Sequence, residues 1–286
     1  MRNPMRTNPL AYIPLVLGTI VMLFPLWWMF IVSLETEEKA GSAMVSGSML
    51  RLMPEDPQWN NYPDALREVG SVAWTGFLDA LANSIVITVL VVIGTVLSSS
   101  LVGFAFARIR FRGRRFLFIL MLSTMMLPAQ VTMIPLFLLF RSLGWVDTIL
   151  PLVVPSFFGT AFFIFMYRQF IAQIPESLVE AARIDGSGML GIWWRSILPI
   201  CKPVSALTAV FTFIYVWNDF MAPLIYLHSD EQMTLAVALN SFRTQYSGVE
   251  DVHLLMAVSI VTMVPCVLLF LAAQKYFIEG LGRGGL

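Results

Sequence analysis

Hydrophobic residues in this chain come in long blocks rather than in the short alternations of a soluble fold. Six apolar runs of about 20 residues or more, the length a bilayer core requires, fall at approximately 10–34, 82–107, 116–139, 150–171, 203–227 and 252–274. A polar island, 172–202, separates the fourth run from the fifth, and a longer polar stretch, 35–81, separates the first from the second. The pattern predicts an all-α membrane protein of six transmembrane helices. Its parts are a cytoplasmic N-terminus (1–9), a first span (10–34), an extracytoplasmic loop (35–81), a core of five spans (82–274) and a cytoplasmic tail (275–286).

The island has a local shape of its own. Pro175 suits a first helical turn, and Glu176 places negative charge at the positive end of the helix dipole. Good helix formers follow, with Glu180 and Arg183 three apart on one face and Leu178, Ala181 and Ala182 near one another on a second. Asp185-Gly186 ends the helix, because glycine accepts the left-handed conformation of a C-terminal cap. A second short helix is expected over roughly 188–197, carrying Met189, Leu190, Ile192, Trp193 and Trp194 and stopping before Pro199. These features suit a docking element at the membrane edge, and equally an ordinary amphipathic loop between two spans.

Composition and charge orient the chain. At 58% hydrophobic, 13% charged and a mean hydropathy of +0.77, it is no soluble domain. The formal net charge of zero hides an asymmetry. With the amino terminus inside, 13 of the 18 basic residues face the cytoplasm, among them Arg2, Arg6, Arg108, Arg110, Arg112, Arg114, Arg115, Arg183 and Lys202. Both termini and the island are therefore expected in the cytosol. The first run is longer than a signal-peptide core, so an uncleaved anchor is expected. Cys201 and Cys266, and the isolated His228 and His253, suggest neither a disulfide nor a metal site.

Within the spans, Gly94, Ser98, Ser99, Ser100 and Gly103 make a stripe of small residues, and Ser99 and Gly103 have the four-residue spacing that lets membrane helices approach closely. Pro128, Pro135, Pro151, Pro155 and Pro265 permit kinks where neighbours satisfy the freed carbonyls. Asn218-Asp219 is the one strongly polar cluster at membrane depth, about 23 Å along a helix from Pro203. A carboxylate there is costly unless it meets water, a partner or a cavity. There is no phosphate-binding loop, no H-E-x-x-H, no nucleophile elbow and no chain of intramembrane carboxylates for proton coupling. Energy for active transport would have to come from a partner, and nothing points to nucleic acid.

Glu180-Ala181-Ala182, three residues, Gly186 and, after eleven more, Leu198-Pro199 resemble the EAA motif of permease subunits in bacterial ATP-binding-cassette importers. Asn83-Ser84, the stretch Ala105 to Arg114, Pro128-Ala129-Gln130-Val131, Pro135-Leu136, Trp217-Asn218-Asp219-Phe220, Gln274-Lys275-Tyr276-Phe277 and Gly280-Leu281 extend the likeness over nearly the whole chain after residue 80. Together they are similar to the carbohydrate branch, specifically the second permease of maltose-type systems. Ser196 departs from the usual Ile or Val two residues before the leucine, and looser packing of the second short helix is expected there.

The resemblance implies the six-helix fold of type I importer permeases and a place in the bacterial inner membrane. It implies a second homologous permease, a dimeric ATPase carrying ATP and magnesium, an extracytoplasmic solute-binding protein, contact with membrane lipid and a sugar-class substrate. It assigns ATPase coupling to Glu180, Ala181, Ala182, Arg183, Asp185, Gly186, Leu198 and Pro199. Tyr215, Trp217, Asn218 and Asp219 become candidates for lining a sugar pathway, against the plainer reading of an interfacial aromatic beside a structural polar contact. Trp59 and Tyr62 become candidate contacts for the binding protein, since aromatics are enriched at interface hot spots. The plainer reading of 35–81 is an irregular loop over the bundle. Alternatives are the same importer class acting on a polyol or glycerol-phosphate-type solute, a secondary transporter, or a membrane-embedded enzyme.

Overall fold

A computed structural model describes residues 12–46, 53–54, 56–72, 76–245 and 251–283. The expectations placed on 1–9, with Arg2 and Arg6, lie outside the described residues. Every regular element among the described residues is a helix. The chain groups into two compact units, Met1–Ala73 with Leu239–Val264, and Trp74–Ala238 with Pro265–Leu286.

In the first unit, α1 (Tyr12–Ser33) is apolar on all sides and exposed along most of its length, as a lipid-facing helix must be. Only its end is covered: Val32 packs with Ala40 and Val252, flanked by Trp28 and Met256. The stretch 35–81 was expected to be largely irregular. Instead it holds α2 (Glu37–Ser46) and α3 (Asn61–Val72), and residues 58–62 are laced onto the end of α1. Asn61 Nδ2 donates to the carbonyls of Ser33 (3.0 Å) and Glu35 (2.8 Å), and the Gln58 amide donates to Leu34 (2.8 Å). These bonds satisfy carbonyls that a helix end leaves open.

In the second unit, α4 (Phe77–Arg108) is the central post. After it come α5 (Arg114–Thr124), α6 (Ala129–Ser142), α7 (Leu150–Val153) with a 3-10 turn at Val154–Phe158, and α8 (Ala161–Ala172). Then follow α9 (Glu176–Ile184), α10 (Met189–Ile192), a π turn at Trp193–Ile197, α11 (Leu198–Ile200), α12 (Lys202–Trp217) and α13 (Met221–Tyr226). Helices α14 (Leu235–Gln245) and α15 (Val252–Arg283), each divided between the two units, follow. The small-residue stripe of α4 is where the post meets its neighbours. A Cβ on Gly103 would lie 2.6 Å from Tyr167 Cβ, and one on Gly94 2.3 Å from Ser156 Oγ. Ser98 Oγ donates to the Ser156 carbonyl at 2.9 Å, and the Thr160 amide donates to Ser99 Oγ at 3.3 Å.

Tyr12–Ser33, Phe77–Arg108, Leu150–Ala172 and Val252–Gln274 are each long and apolar enough to cross a bilayer. The expected third and fifth spans are broken. Helices α5 and α6 meet at 99°, and Met189–Ile200 meets α12 at 80°; counting each bent pair as one span gives up to six among the described residues. The span expected over 116–139, with kinks permitted at its prolines, is interrupted at Pro128, which has no N–H to donate and holds an extended ψ of 138°. Proline also drives its predecessor, here Leu127, out of helical geometry. The fifth run, expected over 203–227, ends as a helix at Trp217 and resumes at Met221, so Asn218, Asp219 and Phe220 form the break.

Candidate functional site

The polar island is anchored from above before it begins. Arg108, the last residue of α4, donates its guanidinium to the carbonyls of Ile171 and Ile174, at the C-terminal end of α8 and just beyond it. Pro175 then serves as the extended N-cap of α9. Val179 is the buried residue of that helix, with Leu178 and Ala182 packed beside it on Phe104, Tyr167, Ile171, Ile192, Ile197 and Cys201. The sequence grouped Ala181 with Leu178 and Ala182; helical geometry instead turns Ala181 outward with Glu180. Glu180 makes no ion pair or hydrogen bond among the described residues, and Arg183 points at Met189 Sδ, 3.8 Å away.

Helix α9 closes as the glycine predicts. Gly186 has φ of +80°, its amide donates to Arg183 (2.9 Å) and the Ser187 amide to Ala182 (3.0 Å), the paired bonds of a Schellman motif. Glu180, Ala181, Arg183, Asp185, Gly186 and Pro199 are exposed, while Ala182 and Leu198 are half-buried. The second short helix does not stop before Pro199. It passes through a π turn, in which the Leu198 amide bonds to Trp193 five residues back, and continues to Ile200. The wider turn accommodates a proline that a regular α-helix would reject. Ser196 is half-buried, and the seam there is closed by fully buried Ile197 and Cys201, so the departure from the family pattern leaves no loose joint.

A cavity of about 1020 Å³ opens between α4, α6, α7 and its 3-10 turn, the start of α8, α12, α13 and the start of α14. Tyr215, Trp217 and Asp219 line it; Asn218 does not. Tyr215 is 71% exposed, whereas Trp217 is 7% exposed and stacks on Phe213, ring centroids 5.3 Å apart. Asn218 turns back to its own helix, donating to the Ile214 carbonyl at 2.8 Å. Asp219 accepts the Ala222 amide at 3.2 Å and helps start α13.

Two groups that sequence reading passed over or left without a role shape the cavity's surroundings. Asp147, with φ of +63°, accepts the amides of His228 and Ser229 at 2.8 Å each and the Ser229 hydroxyl, and its own amide donates to Tyr226 at 2.8 Å. The Ser229 hydroxyl, with the Ser229 and His228 amides, holds its carboxyl down at about 2. Tyr226, a cavity residue, lies edge-on to Phe140 at 5.4 Å. Asn83 donates to the carbonyls of Glu231 (2.8 Å) and Met233 (3.1 Å), and Ser84 Oγ accepts the Leu235 amide (2.8 Å). Arg108, read from sequence as an orientation signal, is the cap described above. No group of three or more His, Cys, Asp or Glu among the described residues is placed to hold a metal.

In the first unit, Trp59 is 62% exposed and stacks on Tyr62 at 6.4 Å. The Tyr62 hydroxyl is within 2.9 Å of Ser33 Oγ. Trp59 is thus the outward member of the pair and Tyr62 the fastening.

The chain is 33% identical over 285 residues, 98% of each protein, to the arabinooligosaccharides transport system permease protein AraQ of Halalkalibacterium halodurans. It is 32% identical over 240 residues to the melibiose/raffinose/stachyose import permease protein MelC of Bacillus subtilis, covering 82% of this chain and 83% of the relative. It is 29% identical to the sn-glycerol-3-phosphate transport system permease protein UgpE of Brucella abortus, covering 96% of each. A chain from the crystal structure of a bacterial ABC transporter involved in the import of the acidic polysaccharide alginate superimposes with a TM-score of 0.76 and 26% identity, covering 97% of this chain and 100% of that one. Residues 99–283, which hold the capped island, the broken fifth span and most of the cavity wall, match the family described as binding-protein-dependent transport system inner membrane component, and the chain belongs to that family.

Proposed function

We propose that this chain forms one half of the translocation pathway of a carbohydrate importer and transmits the action of a separate ATPase through the loop 172–202. As a member of its family it is a transport subunit of the inner membrane and not an enzyme. The observation that carries the coupling role is the build of α9. One face is packed into the same cluster as α4 and α8, and the other presents Glu180, Ala181, Asp185 and Gly186 to whatever lies outside. A push on that outer face reaches the long helices through fully buried Ile192, Ile197 and Cys201.

The expected complex contains a second homologous permease, an ATPase dimer that binds ATP and magnesium, and a solute-binding protein on the outer side, with Trp59 as a contact. Arg108 at the end of α4 and Lys202 at the start of α12 flank the loop, which supports a cytoplasmic position for it, and the distribution of basic residues along the sequence favours the same side for both termini. ATP drives transport only if it favours one of two states of the complex over the other. Two relatives named for oligosaccharides favour a sugar substrate, and one named for sn-glycerol-3-phosphate keeps a phosphorylated polyol as the second reading. The test is purification of the tagged chain in mild detergent, with mass spectrometry of its partners and an ATPase assay. Co-purification of an ATPase and a second permease is the expected result, and an ATP-inert homo-oligomer overturns the reading.

A further inference from the structure

Thr88, Thr212 and Thr234 all line the cavity, are 1%, 5% and 5% exposed, and have hydroxyls with no hydrogen-bond partner. Most other hydroxyls on the apolar helices are accommodated locally, Thr208 on α12 being an unpartnered exception off the cavity. Ser98, Ser100, Thr132 and Ser259 each bond a carbonyl three or four residues back, the usual way a helix accommodates them. Orphaned hydroxyls gathered on one cavity are unfavourable unless something else supplies their partner. In this conformation each oxygen is covered. Threonine in a helix has two accessible χ1 rotamers, so Thr88 on α4 and Thr212 on α12 can turn their hydroxyls to the cavity at little cost.

The charge of the lining selects what the partner can be. Asp219 is its one carboxylate, and no Lys, Arg or His is among the lining residues. A phosphate or uronate would find no counter-charge here and one like charge. A threonine hydroxyl, by contrast, both donates and accepts, which matches a sugar hydroxyl. We propose that Thr88, Thr212 and Thr234 are direct ligands for the hydroxyls of an uncharged, polyhydroxylated solute, and that Asp219 adds an acceptor for it while disfavouring anionic solutes. This deepens the carbohydrate-importer reading and rests on it: the chain itself contacts the cargo and filters it by charge.

The test uses the complete importer in proteoliposomes, with its binding protein and ATPase, and two probes, arabinotriose and glycerol 3-phosphate. Thr88→Val and Thr212→Val remove a hydroxyl while keeping shape. Each is expected to raise the KM for arabinotriose about five-fold, with no loss of thermal stability. Thr212→Ser, which keeps the hydroxyl, restores the wild-type KM. Thr208→Val, equally buried on the same helix but off the cavity, leaves KM unchanged. The wild type takes up glycerol 3-phosphate roughly ten-fold more slowly than arabinotriose, and Asp219→Asn narrows that gap. Unchanged KM in both valine variants, or equal uptake of the two probes, overturns this inference alone. A wild type that couples ATP hydrolysis to neither probe overturns the carbohydrate reading beneath it.

Discussion

At Asp147 the backbone takes a φ of +63°, which among side-chain-bearing residues only Asn, Asp and His adopt with any frequency. Its carboxylate closes the turn with three donors from His228 and Ser229. Those donors favour the charged form, so the folded-state pKa of about 2 lies below an unfolded value near 3.9. The clamp is therefore at full strength at neutral pH, starts to weaken below about pH 4, and is lost as pH falls through about 2. Protection of the His228 and Ser229 amides from hydrogen exchange should stay constant from pH 8 to 5, after correction for intrinsic rates. Asp147→Asn, which keeps one acceptor and tolerates positive φ, should lose part of that protection at neutral pH, and Asp147→Ala most of it. Equal protection in all three proteins would remove the clamp. None of this was legible in the sequence, because the partners lie 81 and 82 positions away and a lone aspartate in a turn has no local signature. Gly186 was legible for the opposite reason: its left-handed cap is decided by the nine-residue helix before it.

Among elements, α4 was the easiest to read and the α5–α6 pair the hardest. The four-residue spacing of Gly94, Ser98 and of Ser99, Gly103 marks a close helix contact whatever the partner, and α8 with its preceding turn proves to be that partner. Gly103→Val should force α4 and α8 apart, since the added carbon would meet Tyr167 Cβ at 2.6 Å and the Arg168 amide nitrogen at 3.2 Å, neither of which is a flexible tip. The expected cost is about 1–3 kcal/mol, read as a lowered melting temperature of the purified complex. Gly188→Ala, at φ of −69° with open space around it, is the matched control and should leave the melting temperature unchanged. Equal melting temperatures for both variants would refute the close contact. Sequence alone could not show the 99° bend between α5 and α6. An unbroken apolar run reads the same whether a proline kinks its helix gently or ends it. The π turn before Pro199 escaped for the same reason.

For the molecule as a whole, the consequence of this build is that the proposed docking surface and the packed surface are different faces of one short helix. Val179, Leu178 and Ala182 hold α9 to the bundle, while Glu180 projects outward without a partner among the described residues. The two roles can therefore be separated by mutation. Glu180→Lys removes no ion pair or side-chain hydrogen bond among the described residues and keeps a good helix former, so membrane level and melting temperature should match the wild type. If Glu180 hydrogen-bonds or pairs at the ATPase surface, reversing its charge should lower solute-stimulated ATP hydrolysis about ten-fold or more, the loss of one charge-assisted bond. Ile197→Ala acts on the other side of the same lever. It hollows the fully buried seam between the loop and the long helices, and should lower both the melting temperature and the stimulation, with a cost of about 2–5 kcal/mol. The pair distinguishes a docking surface from a merely structural loop. Loss of stimulation without loss of stability in Glu180→Lys assigns the outer face to the ATPase. Full stimulation in that variant, with the defect confined to Ile197→Ala, would leave α9 as part of the scaffold and place the coupling contact elsewhere on the chain.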